Sequence, residues 1–457
     1  MKQHLRDSVL LKVIFVGIIT VILLIPLFLI RSLISERQGR RDEAAIEVGS
    51  KWGSFQTIAG PFITIPYYVY WVDDNKVQHK AREFAHFLPD DLYIEAEIFP
   101  EIRARGIFDV VVYRTSIHMH GDFLSIELDD LKLPVNDIIW DEAYLSIAIP
   151  DMRGIGEGVE IEWNGSTYTF EPGIIDQAIF SSGIHITLPD FKNYVNKKNS
   201  FDLQLKLNGS EELYFIPVGK HNTTNVRSTW PDPSFVGSYL PAEHDISNDG
   251  FQASWEISYF SRSYPQSWKG PIANMPGLAG EISNSAYGTK LFLSVDHYHK
   301  TMRSVKYAIL FIILTFVAFF LFEIINKLRI HPFQYLMVGL AMSVFYLLLL
   351  SVSEHMDFIY SYILASAVTI GIICGYSVRI LKKRRSIFFT LLLMLLYSCL
   401  FILLQLEDYA LLVGSIIVFI VLGFVMFITR GIDWYSFRLD RSNQGSDGKS
   451  HSGKKEN

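Results

Sequence analysis

Six apolar blocks constrain this chain more than anything else in it. Val13–Ile30 carries no charge, and five further blocks follow near Tyr307–Ile325, Phe333–Val352, Phe358–Val378, Ile387–Leu406 and Tyr409–Thr429. The first block spans about 27 Å as a helix, enough for the hydrocarbon core of a bilayer. With hydrophobic residues at 50% of the chain, a soluble cytoplasmic enzyme is ruled out. A formal net charge of −6 offers no basic excess, so nucleic acid is not an expected partner. The bilayer is.

Lys2, Arg6 and Lys12 precede the first block and Arg31 follows it, with no small-x-small cleavage site. That layout reads as an uncleaved signal anchor, kinked near Pro26. The later connections alternate in charge. Lys327 and Arg329 mark one, Arg379 with Lys382, Lys383, Arg384 and Arg385 a second, and Arg430, Arg438 and Arg441 the tail. The intervening turns hold only Glu354 and Asp357, then Glu407 and Asp408. The positive-inside rule puts the basic connections and both termini in the cytoplasm, and the long polar region outside. Arg31, Arg37, Arg40 and Arg41 argue the other way locally, but long exported regions are largely exempt from the rule.

The expected domains are therefore a cytoplasmic N-terminus (1–12), a transmembrane anchor (13–30), an extracytoplasmic domain (31–304), a five-helix transmembrane domain (305–429) and a cytoplasmic tail (430–457), disordered after about 441. Both cysteines, Cys374 and Cys399, lie in apolar blocks, so no disulfide holds the extracytoplasmic domain.

That domain has period-two patterning. Tyr67–Val72 and Val77–Leu88 flank Asp73-Asp74-Asn75 as a hairpin. Asn164-Gly165 and Asn208-Gly209 read as two more hairpin turns. Strands are also predicted at Asp109–Met119, Ala143–Ile149, Phe251–Tyr259 and Lys290–Val295. Many short strands argue for a β-sandwich or β-rich lobes. The fold class is thus an α plus β membrane protein: one anchor helix, a large sandwich-like domain, then a five-helix bundle.

Recognisable chemistry is sparse. No H-E-x-x-H, G-x-S-x-G or P-loop occurs. The glycine-rich stretch Asp151–Gly158 precedes a strand, so it reads as a connection rather than a phosphate cradle. His118/His120 and His297/His299 could each present two imidazoles on one strand face, but neither pair has a completing ligand nearby in sequence. They read as surface or internally satisfied histidines, with no metal and no cofactor expected. Inside the blocks Glu323 lies near an end, and the remaining polar groups are mostly hydroxyls, including Thr315, Ser343, Ser366, Thr369 and Ser398. These are expected to bind helices together. Without central charges, ion-coupled transport is unsupported.

One constellation remains, at the predicted outer membrane face. Glu354, His355, Asp357, Glu407 and Asp408 sit in the short outer turns, and Lys300, Arg303 and Lys306 enter the second span at the same level. The basic set shares a broad helix face and could dock on the acidic rim.

Several motifs then combine. Lys306–Leu310, Thr315–Phe320, Phe322-Glu323, His331–Leu336, Val338-Gly339-Leu340, Phe345–Ser351 and Ser353-Glu354-His355 run through the first helices of the bundle. Gly60-Pro61-Phe62-Ile63, Arg153-Gly154-Ile155-Gly156, Pro233–Gly237 with Leu240-Pro241, Gly250–Ala253, and Thr429-Arg430 with Ile432–Tyr435 join them. Together they closely resemble the CreD family of cell-envelope integrity inner-membrane proteins, from the anchor to about Phe437. The resemblance implies a multi-pass protein of the bacterial inner membrane that supports envelope integrity or the envelope stress response, and no catalytic reaction. On this reading the periplasmic β domain binds a protein, cell-wall component or lipid. A transporter or flippase-like protein is the alternative.

Overall fold

The computed structural model of the chain describes residues 9–430, except 127, 129–130, 157, 178, 272–273, 292–296, 326–329, 382 and 407–408. Two compact units make it up: Arg40–Ser294, and Met1–Gly39 with Val295–Asn457. Six helices among the described residues are long and apolar enough to cross a membrane.

The anchor forms α1 (Val9–Ile22) and α2 (Leu24–Trp52), interrupted at Leu23. Pro26 has no N–H to return to the Ile22 carbonyl, which places the interruption one turn before it. The charged residues after Ile30 continue α2. The β unit contributes the short α3 (Leu278–Asn284). The remaining long helices are α4 (His297–Ile325), α5 (Pro332–Ser353), α6 (Phe358–Leu381), α7 (Lys383–Gln405) and α8 (Ala410–Thr429). Helix α4 starts ten residues before Tyr307. Its first turns already bury Tyr298, Thr301, Ser304 and Val305, a helical spacing that packs before the apolar block begins.

Aromatic side chains fill the helical core. Phe319 packs edge-on against Tyr335 at 5.3 Å and, tilted, against Phe389 at 4.7 Å. Gly339 of α5 lets Leu23 and Phe316 approach closely, since a Cβ there would lie 2.2 Å from the Leu23 side chain. The hydroxyls depart from expectation. Thr315, Ser343, Ser366, Thr369 and Ser398 donate to carbonyls four residues back in their own helices. A side chain that short reaches its own preceding turn before it reaches a neighbour. The longer Tyr362 does cross, donating to the Tyr397 carbonyl of α7 at 2.7 Å. Only Ala410 of α8 is buried.

The β unit has strands β1 (Gln56–Val72), β2 (Gln78–Phe87), β3 (Asp91–Arg105), β4 (Phe108–Phe123), β5 (Tyr144–Ala148), β6 (Glu160–Trp163), β7 (Ser166–Thr169), β8 (Glu171–Pro172) and β9 (Gly183–Thr187). It continues with β10 (Asn199–Ser210), β11 (Glu212–Ile216), β12 (His221–Ser228), β13 (Pro233–Gly237), β14 (Glu243–Ser247), β15 (Gly250–Ser258), β16 (Ser267–Lys269) and β17 (Tyr287–Leu291). One sheet runs β13-β17-β11-β1-β5-β9-β8, with β2 and β16 branching from β1; the other runs β14-β15-β12-β3-β4-β10-β6-β7. Each contains one parallel pair, β1 with β11 and β3 with β12. Buried side chains of both sheets, among them Ile63, Ile65, Ile94, Ile117, Leu203, Leu205, Phe215 and Trp255, form one core. Of the expected strand Lys290–Val295, Lys290 and Leu291 end β17 and the rest lies outside the described residues.

The turn readings divide. Asn164 (φ 51°) and Gly165 (φ 80°) make the two-residue turn between β6 and β7, with both φ angles positive. Asp73 ends β1's hairpin, accepting from the backbone of Asn75 and Val77. Asn208-Gly209 makes no turn. Strand β10 runs straight through it, and the chain changes sheet at Glu211 (φ 57°). Gly209 serves packing instead: a Cβ there would lie 2.3 Å from the Tyr113 hydroxyl. Nearby, Gln56 donates to the carbonyls of Asp151 and Asn208, and the Asp151 carboxylate takes both Arg153 and the Ser54 N–H. The Asp151–Gly158 stretch is a connection between β5 and β6, as expected.

Candidate functional site

The rim residues of the helical unit separate into several local arrangements. Glu354, at the end of α5, accepts from the Tyr298 hydroxyl at 3.0 Å and lies 3.7 Å from the Arg37 guanidinium. Arg303 donates to the Leu406 carbonyl at 3.2 Å, where the end of α7 presents unpaired backbone oxygens. The Lys300 ammonium stands 5.8 Å from the ring of Phe358. Lys306, His355 and Asp357 are exposed. Glu407 and Asp408 lie outside the described residues, as do the side chains of Lys382–Arg385. Arg37 and Tyr298 are the partners that sequence reading missed. Arg37 counted there only as one of four arginines after the anchor.

At the other end of α4 lies the most buried carboxylate among the described residues of the unit. Glu323 is 3% exposed and accepts from Lys12, from the Ile330 N–H at 3.1 Å and from the Tyr335 hydroxyl at 3.0 Å. Both oxygens are used, as burial of a charge demands. The group ties α1 to the α4–α5 connection.

The β unit holds a buried polar file on the outer face of its first sheet. Register sets Thr64 of β1 opposite His86 of β2. Thr64 Oγ1 lies 3.0 Å from His86 Nδ1, and Asp176 Oδ2 lies 3.0 Å from Nε2. Trp268 of β16 stacks on the imidazole at 5.0 Å. Hydroxyl, imidazole and carboxylate in line is the arrangement of a general-base relay. The cavity beside His86, which Phe62 and Phe180 help to line, is about 10 Å³, the space of about one water.

Phe180 also borders an open cleft of about 330 Å³. Thr57 of β1, Tyr214 and Ile216 of β11, Ser182 and Ser283 are among the residues that line it. This volume falls in the range of small-ligand sites, and the lining mixes an apolar floor with hydroxyls. Tyr214 donates to Glu212 at 3.0 Å, and burial, with the Glu212 charge beside it, pushes its hydroxyl up to about 12. It therefore stays a neutral donor at any physiological pH. No sequence signal marked this cleft, because β1 and β11 meet across a long separation in the chain.

Residues 8–435 match the family described as inner membrane protein CreD. The inner membrane protein CreD of Escherichia coli (strain K12) is 36% identical over 427 residues, covering 92% of this chain and 92% of its own. Among solved structures, an M1 zinc metallopeptidase from Deinococcus radiodurans aligns with 40% of this chain and 42% of its own, at 9% identity and a TM-score of 0.18. A likeness that low carries no argument.

Proposed function

The chain belongs to the CreD family of multi-pass inner membrane proteins, and from that premise we propose that it is a non-enzymatic envelope-integrity protein whose β unit is periplasmic and binds an envelope component. The alternating Lys/Arg content of the connections supports cytoplasmic termini. The observation that carries the binding role is the 330 Å³ cleft, with Phe180, Ile216 and Tyr214 beside Ser182 and Ser283. It suits a ligand that presents an apolar group flanked by hydrogen-bonding groups. The saturated state of Glu323, both of whose oxygens accept hydrogen bonds, favours a structural role for that carboxylate over one in transport.

A photocrosslinking side chain placed at Ser182 in the full-length protein tests the reading in intact cells. A discrete adduct is expected there, and none from the same group at exposed Asp245 on β14. Adducts of equal yield from both positions, or from neither, would reject the cleft as the binding site.

A further inference from the structure

The second sheet carries a different cluster on its wet face. Strand β4 alternates, so His118 and His120 both point away from the core that takes Ile117 and Met119. The β3–β4 register sets Glu95 opposite His118 and Tyr93 opposite His120; the β4–β10 register sets Asp202 opposite His120. One ligand atom from each of His118, His120 and Asp202 lies within 4.8 Å of the other two. His118 Nε2 is 3.0 Å from Asp202 Oδ2, and its Nδ1 is 3.9 Å from Glu95 Oε2. The His120 ring stacks on Tyr93 at 5.1 Å and 11°, which holds its orientation. Its Nδ1 is buried and makes no hydrogen bond to any of the described residues. A buried polar atom left unpaired is costly, and a cation is one way to satisfy a lone pair.

We propose that His118, His120 and Asp202 bind one divalent transition-metal ion of the zinc class. Two imidazoles and a carboxylate suit Zn²⁺, Ni²⁺ or Cu²⁺, whereas Ca²⁺ and Mg²⁺ take all-oxygen sets. Around a tetrahedral zinc, neighbouring ligand atoms stand about 3.4 Å apart. The three ligand atoms stand within 4.8 Å of one another, so side-chain adjustment must bring them to that spacing, and the Asp202 side chain is exposed. Three protein ligands leave a fourth position for water, or for Glu95 after a rotamer change. The second His-x-His pair cannot do the same. His297 and His299 begin helix α4, where residues two apart point about 200° apart.

Zinc titration of the detergent-solubilised, chelator-treated full-length protein, carrying no polyhistidine tag, tests the site calorimetrically. One saturable site per chain is expected. His120→Ala and Asp202→Asn should each weaken it by about tenfold or more, and His299→Ala should leave it unchanged. Cobalt(II) in place of zinc should give a visible absorption band that His120→Ala abolishes. These three side chains lie on the sheet face away from the core, so intrinsic tryptophan fluorescence should verify that the variants remain folded. No saturable binding, or binding that folded His120→Ala and Asp202→Asn retain in full, would overturn the proposal.

Discussion

The Tyr335 hydroxyl donates to one oxygen of the buried Glu323 carboxylate at 3.0 Å, and Lys12 pairs with the other. One carboxylate thus fastens the N-terminal helix to two helices that lie more than 300 residues later in sequence. Removing the Glu323 carboxylate leaves the buried Ile330 N–H and Tyr335 hydroxyl without their acceptor, which costs about 1–3 kcal/mol for each group. Glu323→Ala should therefore lower the melting temperature of the solubilised protein sharply. Tyr335→Phe should cost less, about 1.5–3 kcal/mol for one hydrogen bond to a charged group. Equal melting temperatures for Glu323→Ala and wild type would show that the pair holds nothing together.

Two glycines of identical Asn-Gly sequence should respond differently to alanine. Gly165 sits at φ 80° with open space around it, so Gly165→Ala should cost about 1–2 kcal/mol of backbone strain. Gly209 has no positive φ, yet its Cβ would meet the Tyr113 hydroxyl and ring at 2.3–2.8 Å. Gly209→Ala should cost more than Gly165→Ala, because β4 and β10 must separate to admit the methyl group. Denaturation followed by tryptophan fluorescence would order the two.

The stability of the β unit should depend on Asp151 in acid. The Arg153 guanidinium and the Ser54 N–H hold its carboxyl well below the usual carboxylate range. A depressed native pKa contributes stability that is complete above the unfolded value, about 3.9, and is lost as pH falls below it. Asp151→Asn should be less stable than wild type at pH 7, and the difference should shrink between about pH 4 and pH 2. A gap that widens with acid would contradict the assignment.

Within the helical unit, cysteines at 37 and 354 should be joined by a short bifunctional thiol reagent once Cys374 and Cys399 are replaced, since the Arg37–Glu354 pair is 3.7 Å. The ion pair itself is worth little, about 0–1 kcal/mol at this exposure. Arg37→Gln should leave accumulation of the protein nearly unchanged.

The proposed orientation has its own check. A thiol introduced near residue 100 should react with an impermeant reagent in spheroplasts, and one at 383 only after lysis. The reverse pattern would invert the topology.

The helices were legible because lipid-compatible composition extends over whole elements, and α5 to α8 begin and end within a few residues of the apolar blocks. The β unit was legible in pieces. Clean alternation disclosed β10, and Asn164-Gly165 disclosed a turn. Asn208-Gly209 misled because a glycine demanded by a neighbouring tyrosine ring looks the same in sequence as one demanded by φ. The wet-face histidines were visible from the start, but Asp202 was not connected to them. Its place beside His120 depends on the register of two strands far apart in the chain, and register is a tertiary property. Arg37 and Tyr298 went unseen as partners of Glu354 because helix packing likewise joins residues far apart in the chain.

The parallel pairing of β3 with β12 joins Asp91 to His221, 130 residues later. Strand β1 likewise waits for β11, and β11 for β17. As the chain leaves the ribosome, the β3–β4 hairpin can close early, but its β3 edge finds no native neighbour until β12, which begins at His221, emerges. Closing loops of that length is slow, and an exposed strand edge meanwhile invites association with other chains. Nascent chains that stop short of Leu291 should consequently remain unfolded and sensitive to protease, with folding protection appearing in a single step once β17 is available.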